Sequence, residues 1–164
     1  MTEAIRVAVL ISSDKGAKGE REDLSGPAIV SKLHGLAEVA AQEIVPDEKE
    51  LIIEKLITYA DELKVDIVFT SGGTGLAPRD VTPEATLEVC DRLVPGITDA
   101  MRLRSLEVTD RAMLSRAVAG IRGRTLIINL PGSPKAVSEC LDVFLPVMDH
   151  AVETLRGEAV ECAH

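Results

Sequence analysis

Short apolar, β-branched runs alternate along this chain with longer stretches whose apolar positions recur at helical spacing. Residues 5–12 (IRVAVLIS) are almost continuously apolar, as expected of a strand buried on both faces of a parallel sheet. Residues 38–45, 66–71 (DIVFTS) and 125–130 (TLIINL) read as further strands. Helices are predicted over 27–36, 48–64, 83–93 and 97–110, and from 134 to about 156 with a break near Pro146. Ile52, Leu56, Ala60 and Leu63 share one stripe of the 48–64 helix. Residues 114–123 fit neither period. Strand–helix alternation of this kind predicts an α/β fold with a mostly parallel sheet covered on both faces. No linker, repeat or low-complexity stretch divides residues 1–164, which are expected to form one domain.

Three predicted helices begin in the same way. The segments SSDKGAKGEREDLSGP (12–27), SGGTGLAPRDVTP (71–83) and PGSP (131–134) each carry glycine and end on proline. Proline suits the first turn of a helix, where its missing N–H loses no hydrogen bond. Thr82 and Ser133, each directly before a proline, are expected as N-caps. Taken singly, each segment is an ordinary helix start. Together they say more, because loops leaving the carboxyl ends of parallel strands share one edge, where ligands of open α/β sheets bind. Helix N-termini there offer unpaired N–H groups and the positive end of a dipole to anions. Gly72, Gly73 and Gly75 let the backbone curl around a phosphate. The loop is neither a Walker A motif, since no GK[ST] follows, nor a GxGxxG fingerprint.

Charge narrows the candidate ligands and partners. Lys plus Arg number 18 against 27 Asp plus Glu, a net charge of −9, with one Tyr, two Phe and no Trp. That composition lacks the basic stripe and stacking platform of a nucleic-acid binder. No apolar run approaches the ~20 residues that span a bilayer, so no membrane partner is expected. The opening residues show no basic start followed by a long apolar centre, so no export signal is expected. Cys90, Cys140 and Cys162 are odd in number and scattered, as are His34, His150 and His164, which argues against a disulfide framework or a CxxC-type zinc site. A cytoplasmic protein is expected. Cys90 and Cys140 read as core residues, His34 as a cation at a helix end, and Met101, Leu103 and Leu106 as packing residues.

An acidic chain that binds phosphates needs a counter-charge. Asp80 shares a loop with the glycines, and Asp47 follows a predicted strand, which puts both on the same sheet edge. Two carboxylates beside a polyphosphate repel it unless Mg²⁺ lies between, and Mg²⁺ typically takes one or two carboxylates plus substrate phosphates. The competing reading makes Asp47 the cap of the helix near Glu48 and pairs Asp80 with Arg79. Arg79 and Lys135 could hold phosphate or form surface ion pairs, and Asp14 and Asp23 suit turns.

Three segments, SDKGAKGEREDLSGP (13–27), TSGGTGLAPRDVTPEAT (70–86) and LPGSPKAVSECL (130–141), resemble the molybdopterin-binding MoaB/Mog family of molybdenum-cofactor biosynthesis. Their order and spacing span nearly the whole chain, although Arg21 stands where an aromatic residue is expected. The resemblance implies a three-layer α/β/α sandwich that assembles as a homotrimer, sometimes a hexamer. Catalytic members transfer AMP from ATP to the terminal phosphate of molybdopterin with Mg²⁺ and release pyrophosphate. Asp47 and Asp80 match the family's catalytic, metal-holding aspartates. Ser13, Asp14, Ser71, Gly72, Gly73, Thr74, Gly75, Pro131, Gly132, Ser133 and Lys135 fall in its nucleotide- and pterin-phosphate-binding segments, with the Ser71 and Thr74 hydroxyls as auxiliary donors. Some members keep the fold without the transferase activity, so a non-catalytic molybdopterin carrier is the alternative. The trimer contact is expected between Leu93 and Ile121.

Overall fold

The computed structural model describes residues 3–158; Cys162 and His164 lie outside them. Six strands form one sheet: β1 (Arg6–Ser12), β2 (Glu38–Val45), β3 (Ile67–Ser71), β4 (Arg92–Leu93), β5 (Ala119–Arg122) and β6 (Thr125–Leu130), in the order β2-β1-β3-β6-β5-β4. The first four in that order run parallel, and β5 is antiparallel to both its neighbours. Strand periodicity sorts the apolar side chains to two faces. One short helical turn, α1 (Asp14–Ala17), follows β1. Val7, Val9, Ile11, Phe69 and Ile128 face α2 (Ser25–Leu33), α5 (Pro95–Leu106), α6 (Pro134–Phe144) and α7 (Met148–Arg156). Ala8, Leu10, Val68 and Ile127 face α3 (Lys49–Ile57) and α4 (Thr82–Val89). The result is the expected three-layer α/β/α sandwich, with a mostly parallel sheet. No helix among the described residues is long and apolar enough to cross a membrane.

The chain passes from β1 to β2 through α2 on one face, and from β2 to β3 through α3 on the other. The loops leaving the adjacent strands β1 and β3 therefore diverge to opposite faces, and a crevice opens between their carboxyl ends. This topological switch positions the candidate site.

The structure departs from the sequence reading in four places. The helix predicted over 83–93 stops at Val89, because Cys90 is extended and the chain enters the two-residue edge strand β4. Gly120 of β5 makes room there, since a Cβ on it would press against the Cys90 side chain. The undecided 114–123 stretch becomes the end of a 3₁₀ turn (Asp110–Leu114) followed by β5, which returns into β6 through Gly123 at φ +59°. The long helix after β2 closes with a π-turn at Thr58–Glu62. Met101 is buried as expected, but Leu103 is 67% exposed and Leu106 lies at the surface, because both sit on the outer side of α5.

One polar bridge crosses the interior directly under the glycine loop. Asn129 of β6 is fully buried, and its amide donates to the hydroxyls of Thr70 on β3 (3.0 Å) and Thr86 on α4 (2.9 Å). Its side-chain oxygen accepts from the Val118 N–H (3.0 Å), while Thr86 donates onward to the Thr82 carbonyl. Every polar atom in the bridge is thereby satisfied, as burial requires. Asn129→Leu, of similar size, leaves the Thr70 hydroxyl and the Val118 N–H without a partner. It is expected to lower unfolding stability by roughly 2–4 kcal/mol, measured by chemical denaturation; a loss under ~0.5 kcal/mol would show the bridge to be energetically idle.

Candidate functional site

Three turns of main chain converge at the carboxyl edge, and glycine lets them. Gly72 and Gly73, directly after β3, adopt φ +93° and +69°. A Cβ on Gly72 would collide with the Ser12 carbonyl, and its N–H donates to the Leu130 carbonyl (3.3 Å). The Ser71 hydroxyl donates to the Pro131 carbonyl and the Ser25 hydroxyl to the Gly132 carbonyl, both at 2.7 Å, tying the third turn to the other two. Above this knot lies a cleft of about 480 Å³. The β1 loop contributes Ser12, Ser13, Arg21, Glu22, Asp23 and Ser25, and the β2 end contributes Asp47. Ser71, Gly72, Gly73 and Asp80 follow β3, and Gly132 and Ser133 follow β6. Ser133 caps α6, accepting from the Ala136 N–H (3.2 Å), so that helix begins at the cleft.

The two aspartates are held by neither of the ordinary partners weighed above. Asp47 does not cap α3, whose N-cap residue Glu48 makes no side-chain bond. Its carboxylate accepts from the Ser12 hydroxyl (2.5 Å) and the Asp14 N–H (3.0 Å), and its own N–H donates to the Asp14 carboxylate (2.9 Å). Asp80 is not paired with Arg79. Its Oδ2 accepts from the Ala77 N–H (3.0 Å) and its N–H donates to the Ala77 carbonyl (2.9 Å), which closes a tight turn. Arg79 instead reaches across the sheet edge to grip Asp14 with two bonds of 2.6 and 2.9 Å. That guanidinium, with the backbone donor of Asp47, holds the Asp14 carboxyl down at about 2.

Among the described residues, the side chains lining the cleft include four carboxylates, Glu22, Asp23, Asp47 and Asp80, against the single guanidinium of Arg21. Asp23 is partly occupied in holding the start of α2, accepting from the Ser25 and Gly26 N–H groups at 3.0 and 3.1 Å. With one side-chain cation against four carboxylates, such a cleft binds anions chiefly through main-chain N–H groups, helix ends and an added cation. The donor set suits Mg²⁺, which keeps most of its shell for water and substrate oxygens and needs only one or two carboxylates. Oδ1 of Asp80 accepts no hydrogen bond among the described residues, so a metal ligand would displace nothing there. No group of three or more His, Cys, Asp or Glu side chains among them forms a closed metal cage.

The other expected residues divide between two places. Ser13, Ser71, Gly72, Gly73, Gly132 and Ser133 line the cleft with Asp47 and Asp80, and Asp14 abuts it through Asp47. Thr74, Gly75 and Pro131 line a separate apolar cavity of about 280 Å³ between the loop and α5. Lys135 is largely exposed, 4.0 Å from Glu139. Ser71 commits its proton to Pro131, and Thr74 faces the other cavity, so neither hydroxyl is placed as a donor into the cleft. Thr82 lies inside the first turn of α4 rather than capping it; its hydroxyl is buried against Gly73 without a partner. Burial pushes the Cys90 thiol up to about 11 and the Cys140 thiol upward as well, so neither is a thiolate nucleophile near neutral pH. Ser12 and Ser25 were not anticipated, although both stand at the ends of the first loop. Nor was Arg116, whose side chain braces the Asp80 loop from 36 residues away.

Known proteins resemble this chain over nearly its whole length. Residues 8–150 match the family described as probable molybdopterin binding domain. The molybdopterin adenylyltransferase of Helicobacter pylori (strain J99) is 44% identical over 162 residues, covering 97% of this chain and 92% of that protein. The molybdopterin adenylyltransferase of Escherichia coli K12 is 40% identical, over 97% of this chain and 89% of its own. The solved structure of the molybdopterin biosynthesis enzyme MoaB from Thermus thermophilus superposes with a TM-score of 0.89 at 52% identity, covering 96% of this chain and 99% of that one.

The Asp14–Arg79 contact yields a titration test. A carboxyl held low in the folded state keeps its bonds above its ordinary pKa and loses them as pH falls through the folded value. The Asp14 carboxyl, followed by carbon-detected NMR, is expected to titrate with a midpoint at about 2. In Arg79→Ala the midpoint should rise toward 3.8. A midpoint that stays put in the variant refutes the contact.

Proposed function

The chain belongs to the molybdopterin-binding family that it matches over residues 8–150, and on that premise we propose that it is a molybdopterin adenylyltransferase. It transfers AMP from ATP to the terminal phosphate of molybdopterin and releases pyrophosphate. The observation that carries this reading is the meeting of Asp47 and Asp80, from the loops after two different strands, with the bare backbone of Gly72 and Gly73 in one cleft. Relatives bearing that activity in their names align over nearly the whole chain.

The phosphate of molybdopterin that attacks the α-phosphorus of ATP is already an anion, so the chain has no proton to remove from it. The residues' work is positioning, and stabilisation of charge where it develops. Main-chain N–H groups of the glycine turn and the α6 N-terminus with its Ser133 cap orient phosphate oxygens. Asp47 and Asp80 would hold Mg²⁺, which would screen the two anionic substrates from one another and supply positive charge near the leaving pyrophosphate. Ser12 and the Asp14 N–H keep the Asp47 carboxylate oriented. Arg21, the one side-chain cation lining the cleft among the described residues, adds a charge-assisted donor.

The same reading makes the protein a homotrimer. Leu103, Met113 and Leu114 are 67%, 64% and 50% exposed. All three lie on α5 and the 3₁₀ turn after it, inside the stretch expected to supply the contact. An apolar row of that kind favours association.

Three outcomes test the proposal. Asp80→Asn is expected to cut single-turnover adenylyl transfer at least ~10²-fold while molybdopterin affinity stays near wild type. A rate within a few-fold of wild type removes Asp80 from the reaction and leaves the carrier reading. ATP should bind much more weakly once Mg²⁺ is chelated, and equal affinity in EDTA would sink the metal bridge. Sedimentation at micromolar concentration should return the trimer mass, and a monomer overturns that part.

A further inference from the structure

Asp80 sits on a loop that has almost no packing of its own. Leu76 is 65% exposed, and residues 76–79 all lie at the surface. The carboxylate of Asp80 closes the 77–80 turn on itself, so its position is the position of that turn. Arg79 ties the turn to Asp14 on one side, and what fixes it on the other comes from the segment leading into β5. The Arg116 N–H donates to the Thr74 carbonyl (2.9 Å). Its Nε donates to the Gly75 carbonyl and its Nη2 to the Asp80 carbonyl, each at 2.7 Å. Its Nη1 meets both carboxylate oxygens of Glu84, in the first turn of α4, at 2.6 and 2.8 Å. One planar guanidinium thus spans the two ends of the loop and the helix that follows it.

We propose that Arg116 is a positioning residue for adenylyl transfer: it sets the height and angle of the Asp80 turn over the cleft without touching substrate. This rests on the adenylyltransferase reading above. The fork geometry is the reason for arginine. A lysine ammonium keeps the charge and can satisfy Glu84, but it cannot present donors in one plane to two carbonyls and a carboxylate together. Two carbonyls are then left to water, and the turn loses its fixed placement. The contribution of Arg116 through Glu84 is a partly exposed ion pair, worth little by itself. The carbonyl contacts are the ones that bear on the reaction.

The test compares Arg116→Lys, Arg116→Gln and Glu84→Gln in the full chain. It measures the single-turnover rate against Mg²⁺ concentration, the KM for molybdopterin, and amide hydrogen exchange over 75–80. Arg116→Lys is expected to lower kcat on the order of 10²-fold, the scale of a small misplacement of a reacting group. It should also raise the Mg²⁺ needed for half the maximal rate, leave the KM for molybdopterin unchanged and speed exchange over 75–80. Arg116→Gln, which keeps a single short donor, should follow it, and it carries the comparison if the lysine variant does not fold. Glu84→Gln should stay within a few-fold of wild type. A wild-type kcat and Mg²⁺ requirement in Arg116→Lys overturns the proposal, as does an equal loss in Glu84→Gln, which would reduce Arg116 to an ion-pair partner. Absence of AMP transfer by the wild-type chain overturns the adenylyltransferase reading, and the proposal with it. Failure of the variants alone to differ from an active wild type overturns only the role of Arg116.

Discussion

At Gly72 three stretches of main chain come into contact, and the site follows from what that contact forbids. The Ser12 carbonyl stands where a Cβ would be, and the Gly72 N–H is bonded to the Leu130 carbonyl. A side chain here would separate β1 from β3 at their carboxyl ends, where the parallel ladder pairs Ile11 with Ser71. The floor of the cleft is accordingly backbone, with small residues around it. Backbone can present N–H dipoles and close approach, but no net charge. Any strong charge in the site must therefore come from side chains on the rim.

That rim is acidic, and the chain assigns each of its aspartates a donor. Asp47 takes Ser12 and the Asp14 N–H, Asp14 takes Arg79, Asp23 takes the first N–H groups of α2, and Asp80 takes Ala77. Each of these carboxylates is oriented by the donor it accepts from. The same bonds cross-link the loops. Arg79 joins the β3 loop to the β1 loop on one side of the cleft, and Arg116 joins it to the β5 lead on the other. The loop between them has little packing, so its order is electrostatic and hydrogen-bonded rather than hydrophobic.

Much of this was legible in the chain. Apolar runs on a two-faced sheet leave few alternatives to a parallel core, and proline after a small polar residue marked where α4 and α6 begin. Asp47 was legible because a carboxylate directly after a strand has few places to go other than the sheet edge, and Asp80 because it shares a loop with the glycines. What stayed hidden depends on partners distant in sequence. β4 is two residues long and carries Arg92 and an exposed Leu93, so nothing local distinguishes it from a helix end; its pairing with Ile121 and Gly120 decides. Arg79 sits beside Asp80 in sequence and chooses Asp14, because a tight turn directs neighbouring side chains apart. Thr82 has the residue type and the position of a cap, yet the Thr82 N–H bonds to the Gly73 carbonyl. The helix therefore starts one residue early, and the hydroxyl is turned inward.

The antiparallel extension then takes on a meaning that strand order alone does not give it. Parallel strands β2, β1, β3 and β6 would suffice to build the crevice, and β5 and β4 extend the sheet away from it. Yet the five residues leading into β5 contain both Arg116, which grips the glycine loop from outside, and Val118, which is bonded through main chain and side chain to Asn129 beneath it. The loop is pinned from above and below by one short segment, whose own register is fixed by pairing β5 with β6 across the Gly123 turn. Displacing that hairpin by one residue would reverse the side-chain faces and move Arg116 and Val118 off their partners together. The extension is in this sense part of the site's frame, and its register is held by core packing of Ala119 against the same face as Ile128. Rigidity at Asp80 is thus inherited from a buried hairpin that carries no residue of the cleft.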